Sequence, residues 1–225
     1  MEKVTISDFL FTAYKTVTRT NAIVGKSPTA DWTESQYEEA IDNALARIQE
    51  EFFVELVGAP NTVDYADALC DTFVVLSGLF DVLQKRDNLP DIDFGRVLSG
   101  VPYESLNMEL VNLQDIKKSP DLVRTYLNSI SLSMMTMVEI DCMALLIEVL
   151  ENNLSKFPES EAVANSSLQW YKENTEETEI VVKPLLDNSG FWLCRTRDNK
   201  YMKPKPFYNE VDASMFTRFE IEQGE

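Results

Sequence analysis

The stretch RIQEEFFVEL (47–56), VGAPNTV (57–63) and DYADALCDTFVVLSGLFDVL (64–83) decides the fold. Two helical patterns meet at the break Gly58-Ala59-Pro60-Asn61. On the first, Glu51 and Glu55 are four residues apart and share a face. On the second, Asp64, Asp67 and Asp71 follow at spacings of three and four and share a face too. Stacked like charges weaken an isolated helix by about 0.2–0.5 kcal/mol per pair. A helix tolerates them when the face lies in water or when a cation sits on it.

The run TFVVLSGLF at 72–80 is apolar nearly all round, so its helix is expected to be buried on most sides. The Asp64/Asp67/Asp71 face runs on into Val74, Val75 and Gly78. On the first helix the apolar stripe is Ile41, Leu45, Ile48, Phe52 and Leu56, with Glu51 and Glu55 at its border. Packing the two helices antiparallel brings the carboxylates to the edge of a core, where unpaired charge is costly. No Lys or Arg stands between Arg47 and Lys85 to answer them. A divalent cation would. A solvated acidic face is the competing reading.

Composition narrows the rest. The 225 residues carry a net charge of −18, which disfavours nucleic acid or an anionic membrane surface as the main partner. It also repels a nucleotide, unless bound divalent ions invert the local field. Nucleotide chemistry here is therefore expected to be strictly metal-dependent. With no His at all, His-dependent triads, zinc–His sites and His general bases are excluded. Cys70, Cys142 and Cys194 are widely spaced and read as reduced, buried thiols of a cytosolic protein. No apolar run reaches membrane-spanning length, and the N-terminus lacks a signal-peptide pattern.

Along the chain, a first helix is expected from Ser7 or Asp8 to about Thr20, capped by Ser7. Thr33 and Gln36 make a capping box for the Glu-rich helix, and Thr62 can cap the Asp-rich one. Residues 86–119 look irregular, and Arg96 is one of their few cations. Pro120 and Asp121 open another helix. The apolar segment from about Met134 to Phe157 offers the stripe Met137, Ile140, Ala144, Ile147, Leu150 and Leu154. Near the end the period changes. Residues 179–182 are β-branched, and 190–204 alternate about Asp198-Asn199, read as a two-residue hairpin turn. Trp32, Tyr65, Trp170 and Trp192 are aromatic candidates for base recognition that the sequence does not rank.

The acidic pattern resembles the all-α NTP pyrophosphohydrolases, the MazG-like, dimeric-dUTPase-like and phosphoribosyl-ATP-pyrophosphohydrolase-like enzymes. Their EExxE followed by ExxD compares with Glu50, Glu51 and Glu55, spaced EExxxE, and with Asp64 and Asp67, spaced DxxD. ADALCD at 66–71 looks most like the phosphoribosyl-ATP branch. That branch carries an N-x-S-K element, compared with Asn153 and Lys156, and a D-G-K-x-x-K element on a hairpin, compared with Asp198, Asn199, Lys200 and Lys203. A helix-end Lys against the dipole, and lysines guarding an edge strand, are the bland readings of these two elements. The resemblance covers about 35–85 and 135–205 and leaves the stretch between without a counterpart.

By that resemblance the chain is one all-α domain over 1–225, a bundle of four or more core helices. An insertion falls at about 86–133 and a β-hairpin tail at about 178–208. It implies a Mg²⁺-dependent enzyme, with Mn²⁺ as the other candidate, that cleaves a nucleoside triphosphate to the monophosphate and pyrophosphate. Glu51, Glu55, Asp64 and Asp67 would hold one or two ions, with Asp71 as a further ligand. Helix geometry favours Glu51 over Glu50 as a ligand, and Glu50 could then take a proton from water. Lys156 would neutralise transferring charge; Asn153, Lys200 and Lys203 would contact substrate. A homo-oligomer, dimeric or tetrameric, in the cytoplasm is expected, in nucleotide-pool control, and forms with this tail are frequent in tailed bacteriophages. The rival is a non-catalytic acidic helical protein that binds a basic partner as a DNA mimic does.

Overall fold

The structure is a computed structural model and describes residues 5–95 and 113–218. The chain is mostly helical, with a small antiparallel sheet toward its C-terminal end. Helix α1 spans Ile6–Ile23. It starts earlier than expected because Thr5, not Ser7, is the cap. The Thr5 hydroxyl accepts the Asp8 N–H while the Asp8 carboxylate accepts the Thr5 N–H. Helix α2, Glu34–Ile48, opens on the expected box: the Gln36 side-chain oxygen accepts from the Thr33 backbone N–H and hydroxyl. Helix α3, Thr62–Arg86, is capped by Asn61 rather than Thr62, its side-chain oxygen accepting from the N–H groups of Val63 and Asp64.

Between α2 and α3 the chain is not α-helical. Gln49–Leu56 forms a π-helix. The apolar stripe ends in two four-residue steps, Ile48 to Phe52 to Leu56. All three side chains are buried through the wider turn. Successive side chains still diverge on the wider turn: Glu50 meets Arg47 and Lys200, while Glu51 lies by Glu55 and Asp71.

Short helix α4, Leu113–Lys118, leads into α5, Pro120–Thr136, which packs along α3 in the main core. The part of 86–133 from Pro120 onward is thus a core helix, while Arg96 lies outside the described residues. Helix α6, Cys142–Leu154, follows a break at which Asp141 caps by accepting the Ala144 N–H. That cap resets the phase. Cys142, Leu145, Leu146, Val149 and Leu150 are buried, whereas Ile147 and Leu154 of the expected stripe are exposed. Helix α7, Glu161–Asn174, had no counterpart in the sequence reading.

Three strands, not a two-stranded hairpin, close the chain: β1 (Ile180–Pro184), β2 (Phe191–Arg195) and β3 (Lys200–Met202), in the order β1-β2-β3. Arg195 pairs with Lys200, so the β2–β3 loop is Thr196–Asn199 rather than two residues. Asp198 sets it, binding the Arg195 guanidinium through both oxygens and accepting the Lys200 N–H, while Asn199 takes the positive φ of 52°. Alternation on β2 decides what the sheet touches. Leu193 packs with Ala164 and Tyr171 of α7, and Trp192 and Cys194 pack with Val24 at the end of α1. The sheet thereby leans its Tyr201 side against the helical body. At the centre α3 is enclosed by α1, α2, α5 and α6, as its apolar run demands. All three thiols are free and buried, and no helix among the described residues is long and apolar enough to cross a membrane.

Candidate functional site

A groove of about 670 Å³ lies between α2 and α3 and is closed by the end of α6 and by the chain from β3 to Val211. A cavity of this size suits a small organic ligand. Helix α2 and the π-helix give it one wall from Gln36 through Arg47 to Glu55, and α3 gives the other from Asp67 to Val82. Because the helices run antiparallel, the acidic residues gather at one end. From Gln36 to Arg47 alone the wall is about 16 Å long.

At the acidic end Glu51 and Glu55 face Asp67 and Asp71 across the groove. The Glu51 carboxyl lies near that of Glu55. Burial, then the charges of Asp71, Glu55 and Glu50, push the Glu51 pKa up to about 8. Burial and the neighbouring Asp67 charge push Asp71 up to about 7. Asp67 is raised as well, by burial and then by Glu55 and Asp64. Among the described residues neither Asp67 nor Asp71 has a hydrogen-bond donor on its carboxyl. The cause lies in the fold: α3 is buried on its other faces, so its acidic face can look only into the groove.

The cations missing between Arg47 and Lys85 arrive from distant segments. Lys156, just past α6, donates to the Asn153 side-chain oxygen at 2.5 Å, and its charge is felt by Asp71. Burial lowers its pKa, against the opposing pull of Asp71 and Glu51. Lys203 pairs with Glu210 at 2.5 Å, and its charge is felt by Asp67 and Asp71. Lys200 stands 3.6 Å from Glu50, which Arg47 also binds. The structure thus brings Glu50, Glu51, Glu55, Asp67 and Asp71 to one groove with Asn153, Lys156, Lys200 and Lys203. Asp64 is not in its lining. It is exposed on the first turn of α3, where the Asn61 amide donates to it at 2.8 Å.

Other residues of the groove were not expected from sequence. Tyr208 and Glu210 cover the acidic end, the Tyr208 hydroxyl donating to Asn152. At the opposite end stand Asn21, Lys26, Gln36 and Tyr201, with Trp32 the only one of the four aromatic candidates that lines the groove among the described residues. Lys26 is an isolated loop lysine in sequence. Nothing in its neighbours signals that a strand some 170 residues later will place a ring beneath it.

As placed, no group of three or more acidic or thiol side chains among the described residues is drawn together closely enough to hold a metal ion. The donor chemistry still fits a hard divalent cation. The groups are all carboxyl oxygens, and an ion would offset the burial and mutual repulsion that hold Glu51, Asp67 and Asp71 above the usual carboxylate range. Comparison with known protein families, characterised proteins and solved structures finds no match to this chain.

Proposed function

We propose that the groove binds a nucleoside triphosphate and, with Mg²⁺ or Mn²⁺, hydrolyses it to the nucleoside monophosphate and pyrophosphate. The observation that carries the reading is the acidic end itself. Glu51, Glu55, Asp67 and Asp71 line one groove, burial raises the pKa values of Glu51, Asp67 and Asp71, and Lys156 and Lys203 stand near enough for their charges to be felt there. Clustered carboxyls of this kind are costly to a fold and cluster at sites of function. A second point supports it. The spacing EExxxE is one residue longer than the EExxE of the enzymes it resembles, and the π-helix over Gln49–Leu56 absorbs an extra residue in its wider turn. The DNA-mimic reading needs these charges on the outside, whereas Glu51, Asp67 and Asp71 are turned into the groove and partly buried.

Glu51, Glu55, Asp67 and Asp71 would hold the metal, and Asp64 drops to an outer charge. When bound, the ion supplies charge neutralisation at the phosphates and an acidified water. The remaining work falls to the chain. Lys156 and Lys203 answer negative charge on the departing pyrophosphate. Asn153 holds the Lys156 ammonium in place for that task. Glu50 is engaged by Arg47 and Lys200, so its part is to hold those cations at the wall. Glu51 would give up its proton as the ion binds, which ties loading of the site to pH. A homo-oligomer belongs to the same proposal, and the exposed Val54 and Val57 beside the acidic end suit a subunit contact.

The test is a screen of the common ribo- and deoxyribonucleoside triphosphates with Mg²⁺, reading pyrophosphate, beside melting curves with and without Mg²⁺. Turnover of at least one triphosphate is expected. Asp67→Asn should cut it by about 100-fold or more while leaving the metal-free melt unchanged or raised, because like-charge repulsion falls. The Mg²⁺-induced rise in melting temperature should shrink. Absence of pyrophosphate from every triphosphate, or full activity in Asp67→Asn, overturns the assignment.

A further inference from the structure

The end of the groove away from the carboxyls is lined by side chains that have been left with donors to offer. The Gln36 oxygen is consumed by the capping box, where it accepts from the Thr33 N–H at 2.8 Å and from the Thr33 hydroxyl at 2.9 Å. Its NH₂ is what remains for the groove. The Asn21 oxygen accepts from the Tyr201 hydroxyl at 2.8 Å, which again leaves the NH₂ free to act. That NH₂ lies against α3 where Gly78 has no side chain; a Cβ there would come within 3.1 Å of it. The Lys26 ammonium sits 3.7 Å from the centroid of the Tyr201 ring and makes no hydrogen bond or ion pair among the described residues. Burial pushes its pKa down to about 7. A half-buried amine over a ring, with no acceptor among the described residues, has a donor to offer a ligand. Trp32 adds a flat apolar face on the same side of the groove.

Three donors and an indole call for a flat ligand with carbonyl oxygens on its edge. We propose that this end is a base pocket selective for the oxo edge of a nucleobase, so that uracil, thymine, guanine or hypoxanthine is taken in preference to cytosine or adenine. The exocyclic amino group of cytosine or adenine would meet a donor where uracil or hypoxanthine offers an acceptor. That leaves two donors facing each other without a partner, the arrangement that gives binding sites their strongest discrimination. Asn43, also in the lining, can accept the ring imide N–H through its oxygen.

The inference rests on the groove being a nucleotide site, but it can be tested apart from hydrolysis. Uncharged nucleosides need no metal, and two pairs differ only along the edge at issue, in the oxo or amino group and the ring nitrogen beside it: uridine against cytidine, and inosine against adenosine. Binding is read by quenching of tryptophan fluorescence in EDTA, in ribo and deoxy forms. Uridine and inosine should bind about tenfold or more tighter than their partners. Gln36→Glu keeps an oxygen for the Thr33 cap and presents a second oxygen to the groove, so the uridine-to-cytidine ratio should fall by about tenfold or reverse. Lys26→Met should shrink the same ratio while leaving the melt unchanged or raised. Equal affinity within both pairs, or no binding of any nucleoside, overturns the base pocket. A clear oxo preference in a protein that releases no pyrophosphate would retain the pocket and remove only the hydrolytic reading.

Discussion

At the scale of single residues the acidic end is a store of protons as much as of charge. The folded Glu51 carboxyl titrates near pH 8 and Asp71 near pH 7, against ordinary values of 4.5 and 3.8. Between those limits the folded protein keeps protons that the unfolded chain has released. The stability tied to them is therefore complete below about pH 4 and is lost as pH rises through 7 to 8. Glu51→Gln cannot lose that proton. Urea midpoints measured in EDTA should show the variant gaining on the parent as pH goes from 5 to 8, and a constant difference would remove the raised Glu51 from the account. The same protons must leave when a divalent ion binds, so the apparent Mg²⁺ affinity should climb across the same window.

At the scale of elements the π-helix is the decisive piece. It keeps Phe52 and Leu56 buried, Phe52 against Tyr126 of α5, while Glu51 and Glu55 remain in the groove. Its loosened backbone is tied to α3 where the Thr72 hydroxyl donates to the Glu51 carbonyl at 3.4 Å. If the segment is an α-helix with one residue too many, it should accept a deletion that regular helix does not. Removing the exposed Val54 shortens the turn to α-helical pitch, and the loop at 57–61 takes up the shift. The expected cost is below about 2 kcal/mol by thermal or urea melting. Removing the exposed Ala46 from α2 rotates every following core residue by about 100° and should prevent folding. Equal damage from both deletions would contradict the account of the π-helix.

At the scale of the whole molecule the net charge of −18 acts on every state of the fold. Monovalent salt screens it, so the metal-free protein should melt higher in 0.5 M NaCl than in dilute buffer. If the groove carboxyls hold a divalent ion as proposed, millimolar Mg²⁺ should exceed NaCl matched for ionic strength; equal effects would leave general screening alone. What the sequence determined by itself was local or periodic. The Thr33–Gln36 cap, the burial of α3 and the inward side of Glu51, Glu55, Asp67 and Asp71 all follow from spacings within one helix or two joined by a short turn. Asp64 shares that spacing yet lies outside the groove, because the first turn of α3 extends beyond the wall that α2 supplies. Tertiary structure alone decided the rest. Lys156, Lys203, Tyr201 and Lys26 come to the groove from segments far apart in the chain. No helical or strand period relates positions that only the docking of β2 and β3 on the end of α1 brings together. The hydrogen bonds that leave Asn21 and Gln36 as donors divide in the same way: the Gln36 oxygen is committed by a cap three residues away, the Asn21 oxygen by a tyrosine 180 residues on.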